Sequence, residues 1–170
     1  MPKLNNIVMF ACNQGGHFSQ MMAMKELFSK YDSVLVTDNV RASKEMSALK
    51  DIGEIEFMLA NAESRKRQKS NRSNRIFGIK AYLKAFCLCI KIWKKYRPKV
   101  IVSTGSSIAV PLFWMGWFKG SKLVFIETRA KVYARSLTGI LVRKVADEIF
   151  VQWPEMKRLY PEAHYFGTLV

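Results

Sequence analysis

Acidic residues are scarce in this sequence, and so are cysteine and histidine. Thirteen Asp and Glu stand against 28 Lys and Arg, a formal net charge of +15. A surplus of that size excludes a neutral surface and points to polyanion partners: nucleic acid, anionic lipid or phosphorylated substrates. The three cysteines, Cys12, Cys87 and Cys89, cannot all pair and none lies in a CxxC. No disulfide framework is expected, and with no secretory signal pattern the reducing cytosol is the natural compartment. His17 and His164 are the two histidines, and no Cys/His spacing suits zinc. Neither a metal nor a cofactor is expected. GxGxxG is absent after the first apolar run, and Asp38 has a weak context, which disfavours a dinucleotide enzyme. No RNA- or DNA-binding signature accompanies the charge. Long apolar runs are missing too. Val100 to Phe118 carries no charge over 19 residues, near the roughly 20 that a membrane helix needs. Ser103-Thr104-Gly105-Ser106-Ser107 interrupts it, so it reads as a buried strand, a polar turn and an apolar helix.

What is present suits one domain, 1–170, with an adequate core: 170 residues, 49% of them hydrophobic. Short apolar runs at 6–11, 33–37, 55–59, 99–102, 122–126 and 148–151 read as strands. Helical patterns at 18–28, 41–50, 76–97, 108–118 and 131–144 alternate with them. That alternation predicts an α/β fold: an open parallel sheet, Rossmann-like, with helices on both faces. The tail 160–170 adds a short edge strand and ends in apolar residues, as a docking tail would.

The chain is organised around Asn13-Gln14-Gly15-Gly16-His17, between the first strand and the first helix. Glycine permits close approach of backbone, and a helix start offers unpaired N–H groups to a phosphate. A tight turn without a ligand is the plain alternative. Ser103-Thr104-Gly105-Ser106 repeats the layout after the fourth strand, with hydroxyls and amides that suit a phosphate or sugar or merely cap a helix. Glu127-Thr128-Arg129 follows the fifth strand, where open α/β sheets place their ligands. A simple Glu127–Arg129 ion pair is the alternative there.

Two segments suggest a surface partner. Arg65, Lys66, Arg67, Lys69, Arg72 and Arg75 crowd 63–75, which is expected to form a mobile cationic loop. The following helix places Lys80, Lys84, Lys91 and Lys95 in one stripe and is apolar around most of the rest, including Phe86 and Trp93. A helix on a sheet needs one apolar face. The surplus meets a lipid surface, a partner subunit, or a second buried layer. The cationic neighbour favours anionic lipid, at about 1 kcal/mol per basic residue near the membrane.

Read in order, Gly15-Gly16-His17, Ser103-Thr104-Gly105 with Pro111, Ile126-Glu127-Thr128-Arg129, Ser136-Leu137-Thr138-Gly139, Ala146 through Glu155 and Tyr160-Pro161 through Gly167 form a recognisable series. The chain resembles the PssD/CpsF-type proteins of bacterial exopolysaccharide and capsule synthesis. These are relatives of the eukaryotic Alg-fourteen subunit of the dolichol-linked N-acetylglucosaminyltransferase. The resemblance covers nearly the whole chain, and the Val151-Gln152-Trp153-Pro154-Glu155 segment is its most specific part. It implies the N-terminal, acceptor-binding half of a GT-B glycosyltransferase. A separate donor-binding chain of the PssE/CpsG type, recruited through the C-terminal region, would complete it. Together they would add a sugar, from a UDP-linked donor, to a lipid-diphosphate-linked saccharide at the cytoplasmic face of the plasma membrane. This chain would be peripheral or monotopic there. Such chains often carry Ser or Thr before GGH and an earlier glycine; here Gln14 and Cys12-Asn13 stand instead, and Asn tolerates left-handed backbone.

The chemistry of transfer needs a base for the acceptor hydroxyl. His17 is the first candidate and Glu127 the second, or else Glu127 binds the sugar or orients His17. Asn13, Gly15, Gly16, Ser103, Thr104, Gly105 and Ser106 would shape the substrate loops, and Arg129 would hold a phosphate. Two other classes compete: a non-catalytic enhancer that recruits the partner to the membrane, and a nucleotide- or nucleic-acid-binding module.

Overall fold

The computed structural model describes the backbone of residues 6–13, 15–37, 54–57 and 75–169, and side chains over 6–13, 15–37 and 86–169. The expected helix at 41–50 and most of the cationic segment at 63–75 lie outside the described residues. The described residues form seven strands: β1 (Val8–Cys12), β2 (Ser33–Thr37), β3 (Glu54–Phe57), β4 (Val100–Ser103), β5 (Lys122–Ile126), β6 (Glu148–Val151) and the two-residue β7 (His164–Tyr165). They join in the order β3-β2-β1-β4-β5-β6-β7, and every pairing is parallel.

Alternate side chains leave the central strands on opposite faces. Met9, Ala11, Val34, Val36, Ile101, Leu123 and Phe125 share one core. Against it pack α3 (Arg75–Tyr96), through Cys89, Ile92 and Tyr96, and α4 (Ala109–Lys119), through Ala109, Leu112 and Phe113. Val8, Phe10, Cys12, Leu35, Val102 and Ile126 form the other core with Met21 and Phe28. Those two come from α1 (Gly16–Met22) and α2 (Lys25–Lys30), and Phe28 meets Phe10 edge-on at 4.4 Å.

Two expectations need correction. The first helix is two short ones, separated at Ala23-Met24, where the Met24 N–H bonds the Met21 carbonyl (3.1 Å). The helix expected over 131–144 shrinks to α5 (Leu137–Val142). Ser136 caps it by accepting the Gly139 N–H (2.9 Å), while the Ser136 N–H is drawn to the Glu127 carboxylate (3.0 Å). That capture ends helical pairing at Ser136 and leaves 131–136 as a bent connector. Of the alternatives left open for α3, burial between two layers does not hold over 86–96. Cys89, Ile92 and Tyr96 are buried, Ile90 and Trp93 half-buried, and Phe86 and Cys87 exposed. No described helix is long and apolar enough to cross a membrane.

Candidate active site

The strand order reverses between β1 and β4. The chain leaves β1 toward β2 on one side and leaves β4 toward β5 on the other, which opens a crevice at the strands' carboxyl ends. Both glycine-containing loops rise from that crevice and are stitched together. Ser103 Oγ donates to the Ala11 carbonyl (2.8 Å), and Thr104 Oγ1 donates to the His17 carbonyl (2.8 Å). Asn13 Nδ2 donates to Ser107 Oγ (3.3 Å). Gly15 and Gly16 are exposed at the start of α1.

His17, the second residue of α1, is half-buried and reaches across to the second loop. Its Nδ1 lies 2.8 Å from the Thr104 carbonyl. A carbonyl only accepts, so Nδ1 must carry the proton. In the neutral ring Nε2 is then the basic nitrogen, and it bonds to none of the described residues. The imidazole is therefore fixed in tautomer and orientation by backbone, with its proton-accepting atom unengaged.

Gly105 underlies the ring. Its φ is +85°, and a Cβ there would lie 3.6 Å from His17 Cε1. Space would permit a side chain; the left-handed backbone is what asks for glycine. Ser106 is buried at 3% exposure, and its hydroxyl has no partner among the described residues. Buried hydroxyls rarely stay unpaired without a ligand or water to meet them. Its carbonyl takes the Ala109 N–H (3.0 Å), so this hydroxyl sits at the start of α4.

Glu127, expected as the second candidate base or as a group that binds the sugar or orients His17, directly follows β5. It is fully buried. Oε1 accepts the Thr128 N–H (2.8 Å); Oε2 accepts the Ser136 N–H (3.0 Å) and the Tyr160 hydroxyl (2.8 Å). Both oxygens are engaged in the interior, so the carboxylate has no lone pair exposed to a substrate, and its donors are these three rather than the Arg129 guanidinium. Burial, and then the Glu127 charge, push the Tyr160 phenol well above the usual tyrosine range. Arg135 lies over the Tyr160 ring at 5.2 Å and donates from Nε to the Leu159 carbonyl (3.0 Å). Gly139 closes the cluster: a Cβ would fall 2.2 Å from the Tyr160 hydroxyl and 2.6 Å from Glu127 Oε2. The Ser136-to-Gly139 motif is thus a cap plus a gap.

Arg129 is exposed, but its backbone is clamped. Its N–H bonds Gln20 Oε1 (3.3 Å), and its carbonyl accepts the Trp153 indole N–H (2.7 Å). Gln20 and Gln152 are both buried and bond each other. Gln20 also donates to the Gly16 carbonyl (3.2 Å), and Gln152 donates to the Glu127 carbonyl (2.9 Å) and accepts the Leu169 N–H (3.0 Å). These amides tie the His17 helix, the β5 loop and the C-terminal tail together. Sequence reasoning assigned Gln20, Gln152, Ser136 and Tyr160 no role. A polar amide closing the apolar β6 run was the available signal for Gln152.

Among the residues expected at a membrane, Phe86 is exposed and Trp93 half-buried, its N–H donated to Ser121 Oγ (3.3 Å). Arg65, Lys66, Arg67, Lys69, Arg72 and the Arg75 side chain lie outside the described residues. No group of three or more metal-ligating side chains occurs among the described residues.

Comparison with known proteins agrees with this layout. The fold superposes on the MurG protein of Acinetobacter baumannii with a TM-score of 0.65 at 14% identity, covering 88% of this chain and 42% of that one. The chain has the Rossmann-like fold of a GT-B N-terminal half, and it spans less than half of the MurG chain. A UDP-N-acetylglucosamine transferase subunit of Yarrowia lipolytica is 24% identical over 99% of this chain and 84% of its own length. That of Kluyveromyces lactis is 26% identical over 99% and 80%. The family model described as "Oligosaccharide biosynthesis protein Alg14 like" matches residues 7–169. With its fold, its loops and nearly its whole length accounted for, the chain belongs to the Alg14-like family of glycosyltransferase subunits.

Proposed function

We propose that this chain is the acceptor-binding subunit of a two-chain inverting glycosyltransferase. It works at the cytoplasmic face of the plasma membrane in exopolysaccharide or capsule synthesis, with a donor-binding partner of the PssE/CpsG type. The observation that carries this reading is His17 at the switch point, its Nδ1–H held by Thr104 and its Nε2 unengaged. In the reaction, the acceptor hydroxyl oxygen attacks the anomeric carbon of a UDP-linked sugar. The bond from that carbon to the diphosphate oxygen breaks, the electron pair leaves on the diphosphate, and the hydroxyl proton passes to His17 Nε2. Asn13, Gly15, Gly16, Ser103, Thr104, Gly105 and the unpaired Ser106 hydroxyl surround the acceptor's lipid diphosphate and first sugar, with Arg129 at the rim. Glu127 acts as a positioning residue that holds the β5 loop.

A partner is supported by the second sheet face. Parallel sheets are normally covered on both sides. Here α1 and α2 flank one side of that face and the C-terminal tail the other. Between them Val102, Val124, Ile126 and Phe150 floor an apolar cavity of about 540 Å³ walled by Leu27 and Phe166. Phe166 is 85% exposed. The partner is proposed to bind along this tail.

The test is sugar transfer by the reconstituted pair. General-base loss in His17→Ala should lower turnover by about 10²–10⁴-fold, with bound acceptor retained. Unchanged turnover would remove His17 from the chemistry and leave the recruiting, non-catalytic reading.

A further inference from the structure

The C-terminal half of α3 and the outer side of α4 form an apolar groove of about 890 Å³ lined by Phe86, Ile90, Trp93, Trp114, Trp117 and Phe118. Its aromatic residues project: Phe86 is 40% exposed, Trp114 41%, Trp117 56% and Phe118 74%. Trp114 and Trp117 pack edge-on at 5.9 Å. Met115, Lys94, Arg97 and Lys119 complete the lining. The Lys119 ammonium lies 5.3 Å from the Phe118 ring centre and 5.8 Å from that of Trp93. No acidic side chain lines the groove.

The charge of the chain is concentrated in the stretch of sequence that supplies this surface. No Asp or Glu occurs between Glu63 and Glu127, whereas 15 Lys and Arg do. Outside that stretch, 13 cations balance 13 acids. The stretch that supplies α3 and α4 therefore carries the entire net charge.

We infer that the α3–α4 face is the seat of this protein on an anionic bilayer, with Trp114, Trp117 and Phe118 entering the headgroup–acyl boundary and Lys94, Arg97 and Lys119 meeting lipid phosphates. Tryptophan is favoured at that boundary because its ring is apolar and its N–H polar. Long basic side chains lie along apolar surface and present their charge to phosphate. A second copy of the same face would bring like charges together, and an acidic groove-binding protein would gain nothing from the projecting Phe118. The inference deepens the membrane part of the proposed function and rests on that part alone. It also gives an orientation. The loop with Ser106 precedes α4, so the groove starts roughly 10 Å along the helix from the acceptor loop, at 1.5 Å per residue.

The test is vesicle flotation with the full chain, with no nucleotide sugar or partner present, so that its failure and that of the transferase reading are separable. Wild type should float with phosphatidylglycerol-containing vesicles and less with pure phosphatidylcholine. Its tryptophan emission should shift to the blue and be quenched by lipids brominated near the boundary. Trp117→Ser/Phe118→Ser, with wild-type far-UV circular dichroism, should weaken partitioning by at least about tenfold. Should that variant not fold, the lipid quenching of wild type decides. Undiminished binding by a folded variant, absence of quenching, duplex DNA outcompeting vesicles, or a dimer in solution abolished by the same substitutions would each overturn the inference.

Discussion

Tyr160→Phe removes one hydroxyl from a fully buried carboxylate and leaves the ring in place. In the native protein Glu127 holds three donors, two backbone N–H groups and the Tyr160 hydroxyl at 2.8 Å. The substitution takes away the third, and nothing else within the cluster can replace it, because Gly139 leaves no side chain and the site excludes solvent. A hydrogen bond to a charged group contributes about 1.5–3 kcal/mol, and a buried acceptor left short of donors loses at least as much. The Phe ring keeps its packing and its contact with the Arg135 guanidinium, so little else changes. For a domain of this size about 2–4 °C of melting temperature accompanies each kcal/mol, which puts the expected fall at about 3–12 °C. Urea unfolding should show a lower midpoint with an unchanged slope, since the buried surface is the same. Glu127→Gln should also destabilise, because an amide NH₂ then faces an N–H or O–H donor. The double variant should cost less than the sum, since both changes strike one interaction. A Tyr160→Phe protein that melts within 1 °C of wild type, or additive losses in the double variant, would refute the claim that Glu127 is a structural anion held by Tyr160.

Other outcomes follow from single contacts. Gly105→Ala should cost about 1–2 kcal/mol in chemical denaturation, because its φ of +85° and not crowding is limiting. Gly105→Asn should cost less, and equal losses would contradict the backbone explanation. Tyr160 should keep its proton in alkaline titration followed at 295 nm after exposed tyrosines have ionised. Its folded value is raised, so its contribution is complete below the ordinary tyrosine value of about 10 and is lost as pH climbs toward the raised value. Ellman's reagent should modify Cys87 of the native protein quickly and Cys12 and Cys89 slowly. Cys87 is exposed and the other two are buried, and burial pushes the Cys89 thiol up to about 12. Fast reaction at Cys89 would mean that α3 is turned differently on the sheet.

The linear order of residues determined the sheet, the helices that precede β4 and β5, and the carboxyl-end loops. Those are local properties: β5 was legible from Lys122 to Ile126 because a short apolar run ends at a charged cluster. The His17 and Ser103-to-Ser106 loops were likewise legible, as glycine and hydroxyl turns between strand and helix. Only the tertiary structure decided what those groups do. Glu127 reads from its place after β5 as a base, a sugar ligand or an orienting group; only the fold shows that Ser136 and Tyr160, 9 and 33 residues along the chain, donate to its oxygens. The tautomer of His17 depends on a carbonyl 87 residues away. The surplus apolar surface of α3 was visible as periodicity, but α4 had to pack beside it before a groove with a basic rim existed. Periodicity records which way one element faces; burial, tautomer and pairing depend on distances between elements, and those are set when helices and loops pack on the sheet.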